Sequence, residues 1–202
     1  MHHPASRYGG MSHEAVLVET LHRRHATEFS NVLAILHLLR AGLHEPHPIV
    51  DDAIERVEGQ LELERLLVAP PILDLSMTLA ATCELIAQSR VIRPVFSFQA
   101  NACPAPSVTF ARAFAIIAFE AISLITMHMD RADPPVIVRL ALEDRIATLL
   151  IRRTSQPPGS MARLHRDDTS LMRQIVWRLN GSVAIAQDTR TRTIRIRIPV
   201  ST

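Results

Sequence analysis

The chain has 202 residues, 48% of them hydrophobic and 21% charged, with a formal charge of +2 at pH 7. Those values describe one or two small folded domains, exclude a disordered chain and give no argument for a nucleic-acid partner. The two cysteines, Cys83 and Cys103, lack metal-site spacing and fit a reduced, cytoplasmic protein.

The first eleven residues, Met1 to Met11, contain no apolar core and cannot act as a signal peptide; they are expected to be disordered. Ser12 is a candidate cap for a helix from about His13 to Ala41, with Glu14 near its positive end. Val18, Leu21, His25, Phe29, Val32, Leu36 and Leu39 recur at spacings of three and four, drawing one stripe along that helix. A break follows between Ala41 and Pro48. A second, more acidic helix is expected from Ile49 to Val68, with Ile54, Val57, Leu61, Leu63, Leu66 and Leu67 on its apolar face. Ala69-Pro70-Pro71 ends it, because proline removes a donor and disfavours helix at the preceding residue. Two such helices cannot bury both faces alone, so pairing with a second copy into a four-helix bundle is expected.

After Pro71 the pattern becomes mixed. Leu73 to Ser89 reads as a helix, and Val91 to Phe98 as a strand that Pro94 confines to a sheet edge. Ala105-Pro106-Ser107 opens a long apolar helix running to Met129. That segment is long enough to span a membrane, but Arg112, Glu120 and His128 interrupt it, so a buried core helix is expected. Two strands, 135–142 and 145–152, flank a turn at Glu143-Asp144. Gln156 to Ser160 is a loop. A helix from Thr169 to Leu179 stops at Asn180-Gly181, and the strands 182–186 and 192–199 close the chain.

The helix carrying Glu19, Leu21, His22, Arg23, Glu28, Phe29 and Leu33 resembles the dimerisation and phosphotransfer helix of HWE-type histidine kinases. Aligned from His22-Arg23, the resemblance makes His22 the phospho-acceptor. Aligned backward from Glu28-Phe29, it puts Arg23 there, with His22 and His25 on either side, so His25 stays open as the alternative. Arg23, Arg24 and Glu28 then become candidate partner contacts. The order of elements after Pro71, the close Trp177-Arg-Leu-Asn-Gly181 and the last strand are similar to the ATP-binding domain of the same kinases. The resemblance thus implies an α+β protein: residues 12–70 as a helical hairpin forming a dimeric four-helix bundle, then residues 71–202 as a degenerate kinase-ATPase-type α/β sandwich.

Three departures matter. The helix ending Phe119-Glu120-Ala-Ile-Ser-Leu124 keeps the family's glutamate but has Leu124 where the resemblance expects a magnesium-holding asparagine, and magnesium needs oxygen. The adenine-reading Asp-x-Gly falls on Ile151-Arg152-Arg153-Thr154-Ser155. Where the glycine-rich phosphate loop should stand is Arg166-Asp167-Asp168-Thr169-Ser170, without a glycine. No ATP, other cofactor or resident metal is therefore expected. The pattern resembles dimeric histidine phosphotransferases of the ChpT type, which relay phosphate to or from response-regulator aspartates while the receiver brings the magnesium. The expected partners are a receiver domain and a second copy, with no nucleic acid and no membrane. The alternative is a catalytically inactive kinase homologue that binds and regulates a response regulator or a kinase.

Remaining polar residues have plainer readings. His37, His44 and His47 surround the hairpin turn at spacings too loose for a metal. Arg152 and Arg153 read as a solvated strand end, or as an attractor for an acidic regulator or a phosphoryl group. Asp167 and Asp168 read as a helix cap cluster, with a catalytic acid pair as the bolder possibility.

Overall fold

A computed structural model describes residues 13–43, 45, 47–68, 73–90, 92–127, 129, 131–155 and 169–200. The chain divides into two compact units, residues 1–68 and 69–202. The first is a hairpin of α1 (His13–Gly42) and α2 (Pro48–Val68). Polar side-chain contacts join the two helices near the turn: Arg40 Nε lies 3.0 Å from Asp51 in an ion pair, and His37 Nε2 lies 3.6 Å from Glu58. Ile54, Leu63 and Leu67 of α2 are buried. On α1, Phe29, Leu33 and Leu36 are half-buried, whereas Val32 and Leu39, drawn on the same stripe by the sequence, are exposed. One helix partner covers only part of so wide an apolar face.

The second unit holds α3 (Leu75–Ser89), β1 (Phe96–Ala100), α4 (Val108–Thr126), β2 (Val136–Glu143), β3 (Ile146–Thr154), α5 (Ser170–Arg178), β4 (Ser182–Gln187) and β5 (Thr191–Pro199). The five strands lie in the order β1-β2-β3-β5-β4, with β1 parallel to β2 and the other pairs antiparallel. The architecture is α+β, a mixed sheet with helices on one face. Alternation along β2, β3 and β5 sends Val136, Val138, Leu140, Leu149, Ile151, Ile194, Ile196 and Ile198 into the core. Opposite them lies α4, with twelve of its nineteen residues buried. Its length and composition would suit a membrane span, and its burial makes it the central helix of this unit.

Local chemistry explains most element ends. Ser107 caps α4, its hydroxyl accepting from the Phe110 amide at 3.1 Å. Asp74 caps α3, accepting from the Ser76 amide at 2.8 Å and the Ser76 hydroxyl at 2.6 Å. The α5 terminus is a Schellman motif: Gly181 N–H reaches the Val176 carbonyl at 2.9 Å and Asn180 N–H the Trp177 carbonyl at 2.9 Å. There Asn180 takes the positive φ of 54°. Gly181 is required for a different reason, since a Cβ would stand 2.5 Å from the Arg197 carbonyl oxygen.

Several boundaries differ from the sequence reading. Strand β1 starts at Phe96 rather than Val91, beyond Pro94, and it is an edge strand. The β2–β3 turn is centred on Asp144 and Arg145, at φ of 48° and 60°, one residue later than expected. Both central residues at positive φ give the type I′ geometry that matches strand twist. Helix α4 ends at Thr126 rather than Met129, because its last carbonyls are taken by arginine side chains from the sheet. Residue 169 is the N-cap position of α5; Asp167 and Asp168, expected there, lie outside the described residues. So do Ser12, Ala69-Pro70-Pro71, His44, His128 and the loop Gln156 to Ser160.

Candidate functional site

His22, Arg23, Arg24 and His25 all lie within α1, and their side chains fall outside the described set. His22 and His25 are three residues apart, a separation that puts two helical positions on adjoining parts of one face. Glu28 follows within one turn of His25 and is exposed, as is Thr27. His37 is engaged with Glu58 across the hairpin. Among the described residues no group of three or more His, Cys, Asp or Glu side chains could hold a metal ion.

The second unit carries the positions where the resemblance would place a nucleotide. Leu124 is only 6% exposed, and its backbone carbonyl accepts from Arg192 Nη1 at 2.9 Å. Glu120, four residues earlier, is half-buried and has an interaction partner. The strand segment Ile151 to Ser155 contains no carboxylate; Ile151, Arg153 and Ser155 are buried and Arg152 is exposed. Position 124 therefore offers magnesium no side-chain oxygen, and the described residues do not fit a Mg-ATP site of the expected kind.

Arg153 corrects the reading of Arg152-Arg153 as a solvated strand end. Its side chain is 1% exposed and faces Asp133, which is 0% exposed. Nη2 and Nε donate to Asp133 Oδ2 at 2.7 and 3.1 Å, while Nη1 donates to the carbonyls of Met127 at 2.7 Å and Ile125 at 3.2 Å. Arg192 is the cross-strand partner of Arg153 in the sheet register and is 2% exposed. Two guanidiniums thus meet the last turn of α4, where unsatisfied carbonyls and the negative end of the helix dipole concentrate. The signal was available in the sequence. Ala147, Leu149 and Ile151 point inward, and period two carries Arg153 to the same side; Ile194, Ile196 and Ile198 do the same for Arg192.

The two cysteines are buried and unreactive in setting. Burial pushes the Cys83 thiol up to about 12, and burial together with the nearby Asp74 carboxylate raises that of Cys103. Neither is a nucleophile for this fold.

No family model matches the sequence, and no curated protein matches it. Solved structures do. The histidine kinase AdeS of Acinetobacter baumannii superposes with a TM-score of 0.54 at 12% identity, covering 86% of this chain and 96% of that one. The histidine kinase domain of the blue-light-activated kinase EL346 from Erythrobacter litoralis gives 0.53 at 17% identity, covering 87% of this chain and 86% of that one. A bacterial phosphotransferase gives 0.51 at 9% identity, covering 92% of this chain and 97% of that one. The fold is histidine-kinase-like, a five-stranded mixed sheet with helices that matches a kinase ATPase domain.

Proposed function

We propose that the protein is a histidine phosphotransferase that moves phosphoryl groups to or from response-regulator aspartates without using ATP. The observation that carries this reading is a kinase-like fold whose expected magnesium position is a buried leucine, Leu124, and whose expected adenine-reading strand end is occupied by the internally paired Arg153. The likeness to a solved bacterial phosphotransferase over 92% of this chain supports the same assignment.

The chemistry requires one accessible imidazole. In the forward step a ring nitrogen of neutral histidine attacks the phosphorus of an aspartyl phosphate, a P–N bond forms, the P–O bond to the aspartate breaks, and the carboxylate leaves with the electron pair. Reversal returns the phosphoryl group to the same or another receiver. Histidine suits the task because its ordinary pKa leaves much of it neutral near pH 7. His22 is the proposed acceptor, with His25 one turn on as the alternative and Arg23, Arg24 and Glu28 as candidate contacts for the receiver.

The active form is proposed to be a homodimer joined through a four-helix bundle built from α1 and α2 of each copy. Exposed Val32, Ile35, Leu38, Leu39 and Ile49, from 45% to 73% accessible, support a further partner for this hairpin. The test is transfer of label from phosphorylated receiver domains. Label should reach the wild-type protein and not His22→Ala, while Mg-ATP produces neither label nor a thermal shift. Transfer that survives His22→Ala and fails in His25→Ala would move the site by one turn. Label on neither histidine would leave the binding-only regulator as the better account.

A further inference from the structure

Within the second unit no described element covers the face of the sheet turned away from α3, α4 and α5, and that face is basic. Register fixes its layout. Arg139 pairs with Leu150, and Leu150 with Arg195, which places the two arginines in one cross-strand row. Arg152 lies one row above, opposite Ile137 and Thr193, and Arg197 one row below, opposite Thr148 and Ser182. At about 4.8 Å between strands and about 6.8 Å between same-face residues along a strand, the four Cα positions fit within roughly 10 by 14 Å. All four arginines are exposed. No salt bridge joins any of them to a described carboxylate, whereas Arg153 on the opposite face is fully paired.

Described acids border this patch without forming a salt bridge to it. Glu143 stands at the hairpin end of β2. Asp188, in the β4–β5 turn, is held below the usual carboxylate range by the amides of Arg190 and Thr191, with smaller help from Arg152 and Arg190. The charge is segregated along the chain. Residues 1–68 hold six arginines and ten carboxylates, and residues 69–202 hold sixteen arginines and ten carboxylates, so net −4 and +6 make up the overall +2. The acidic helix α2 pairs Asp51 with Arg40 and sets Glu58 against His37, so part of its acidic surface is engaged within the hairpin.

We propose that this outer sheet face, centred on Arg139, Arg152, Arg195 and Arg197, docks an acidic amphipathic segment of another protein. Carboxylates of the partner would meet the guanidiniums, and its apolar side would lie on the half-buried Leu150 and Ile137 and the exposed Ala184. Among the described residues this face carries no aromatic ring on which a base could stack, which argues against single-stranded nucleic acid. Its described residues also include no large exposed apolar side chain to insert into lipid, which argues against a membrane surface. This inference is independent of the phosphotransfer reading, since it involves neither histidine nor the hairpin.

The test is fluorescence anisotropy on the full chain. The probe is a labelled helical peptide with glutamates along one face and leucine and alanine along the other. Replacing all four arginines (R139Q, R152Q, R195Q and R197Q together) should weaken binding at least about tenfold, the sum of several exposed charge pairs. A control removing four other exposed arginines (R93Q, R112Q, R131Q and R178Q) has the same net charge and should bind as the wild type does. If the fourfold variant fails to fold, the pairs R139Q/R195Q and R152Q/R197Q should each weaken binding. Equal loss in the control and sheet variants, or no binding by the wild type, overturns the proposal. Tighter binding of a single-stranded oligonucleotide or of phosphatidylserine vesicles, lost in the same variants, overturns it in favour of those partners.

Discussion

Helices α1 and α4 are both long and both carry an apolar face, yet they end in opposite situations. Twelve residues of α4 are buried against α3, α5 and the sheet. From Thr27 to Gly42 no residue of α1 is fully buried, and Leu38 is 73% exposed. The difference is one of neighbours as well as of composition, since α1 is amphipathic and α4 apolar along most of its length. A helix lying on a five-stranded sheet is covered along its whole inner side, whereas a helix in a two-membered hairpin is covered along one seam. The second unit thus completes its own core, and the hairpin presents an apolar face still to be covered.

The largest expected effect tests how self-sufficient the second unit is. Asp133→Ala strands the buried Arg153 guanidinium and should cost about 3–5 kcal/mol, read as a lower urea midpoint of the full chain. The double replacement Asp133→Leu with Arg153→Met should recover most of that loss, because a buried pair is mainly costly when broken. A single-variant loss below about 1 kcal/mol would show that the pair is not what holds the end of α4. Next in size is Gly181→Ala. Its Cβ would meet the Arg197 carbonyl at 2.5 Å and the Val176 side chain at 2.8 Å, so a cost of about 1–3 kcal/mol in thermal unfolding is expected.

Asp74→Ala should cost about 1 kcal/mol through loss of the α3 cap. Hydrogen bonds from Ser76 hold the Asp74 carboxyl below its ordinary value. Its contribution is therefore present above the unfolded carboxylate pKa and lost as pH falls through the folded one, so the Tm gap between wild type and variant should close in acid. Leu38→Ala on α1 should change unfolding of the single chain by no more than about 0.5 kcal/mol, as for other exposed positions. If the hairpin is half of a bundle, Ile35→Glu with Leu38→Glu should convert a dimer to a monomer in light scattering. The smallest signal is a null one: with the Cys83 thiol pushed up to about 12 and Cys103 fully buried, neither should react with a thiol reagent at pH 8 until the chain unfolds.

Strand and helix identities were legible in the sequence wherever one periodicity dominated. The alternating Thr-Ile-Arg-Ile-Arg-Ile of β5, the capped start of α4 and the Asn180-Gly181 stop all fall within a residue or two of their expected places. The loss of oxygen at position 124 was equally legible, because residue chemistry is local. The inward arginines were missed because a guanidinium was judged by type rather than by the face its strand position dictates.

What the sequence alone determined is which faces are apolar, where the capped helices start, and which chemical groups are missing. Only the tertiary structure decided what covers each face and where each charge ends. Arg152 and Arg153 are neighbours of one type, yet one is exposed and the other is 1% exposed against Asp133. Alternation offers the two faces, but the helix layer that this unit packs on one of them decides which arginine is desolvated and must be paired. Likewise the end of α4 lies at Thr126 because arginines from β3 and β5, distant in sequence, meet its carbonyls. Long-range pairing of that kind has no local signature in the chain.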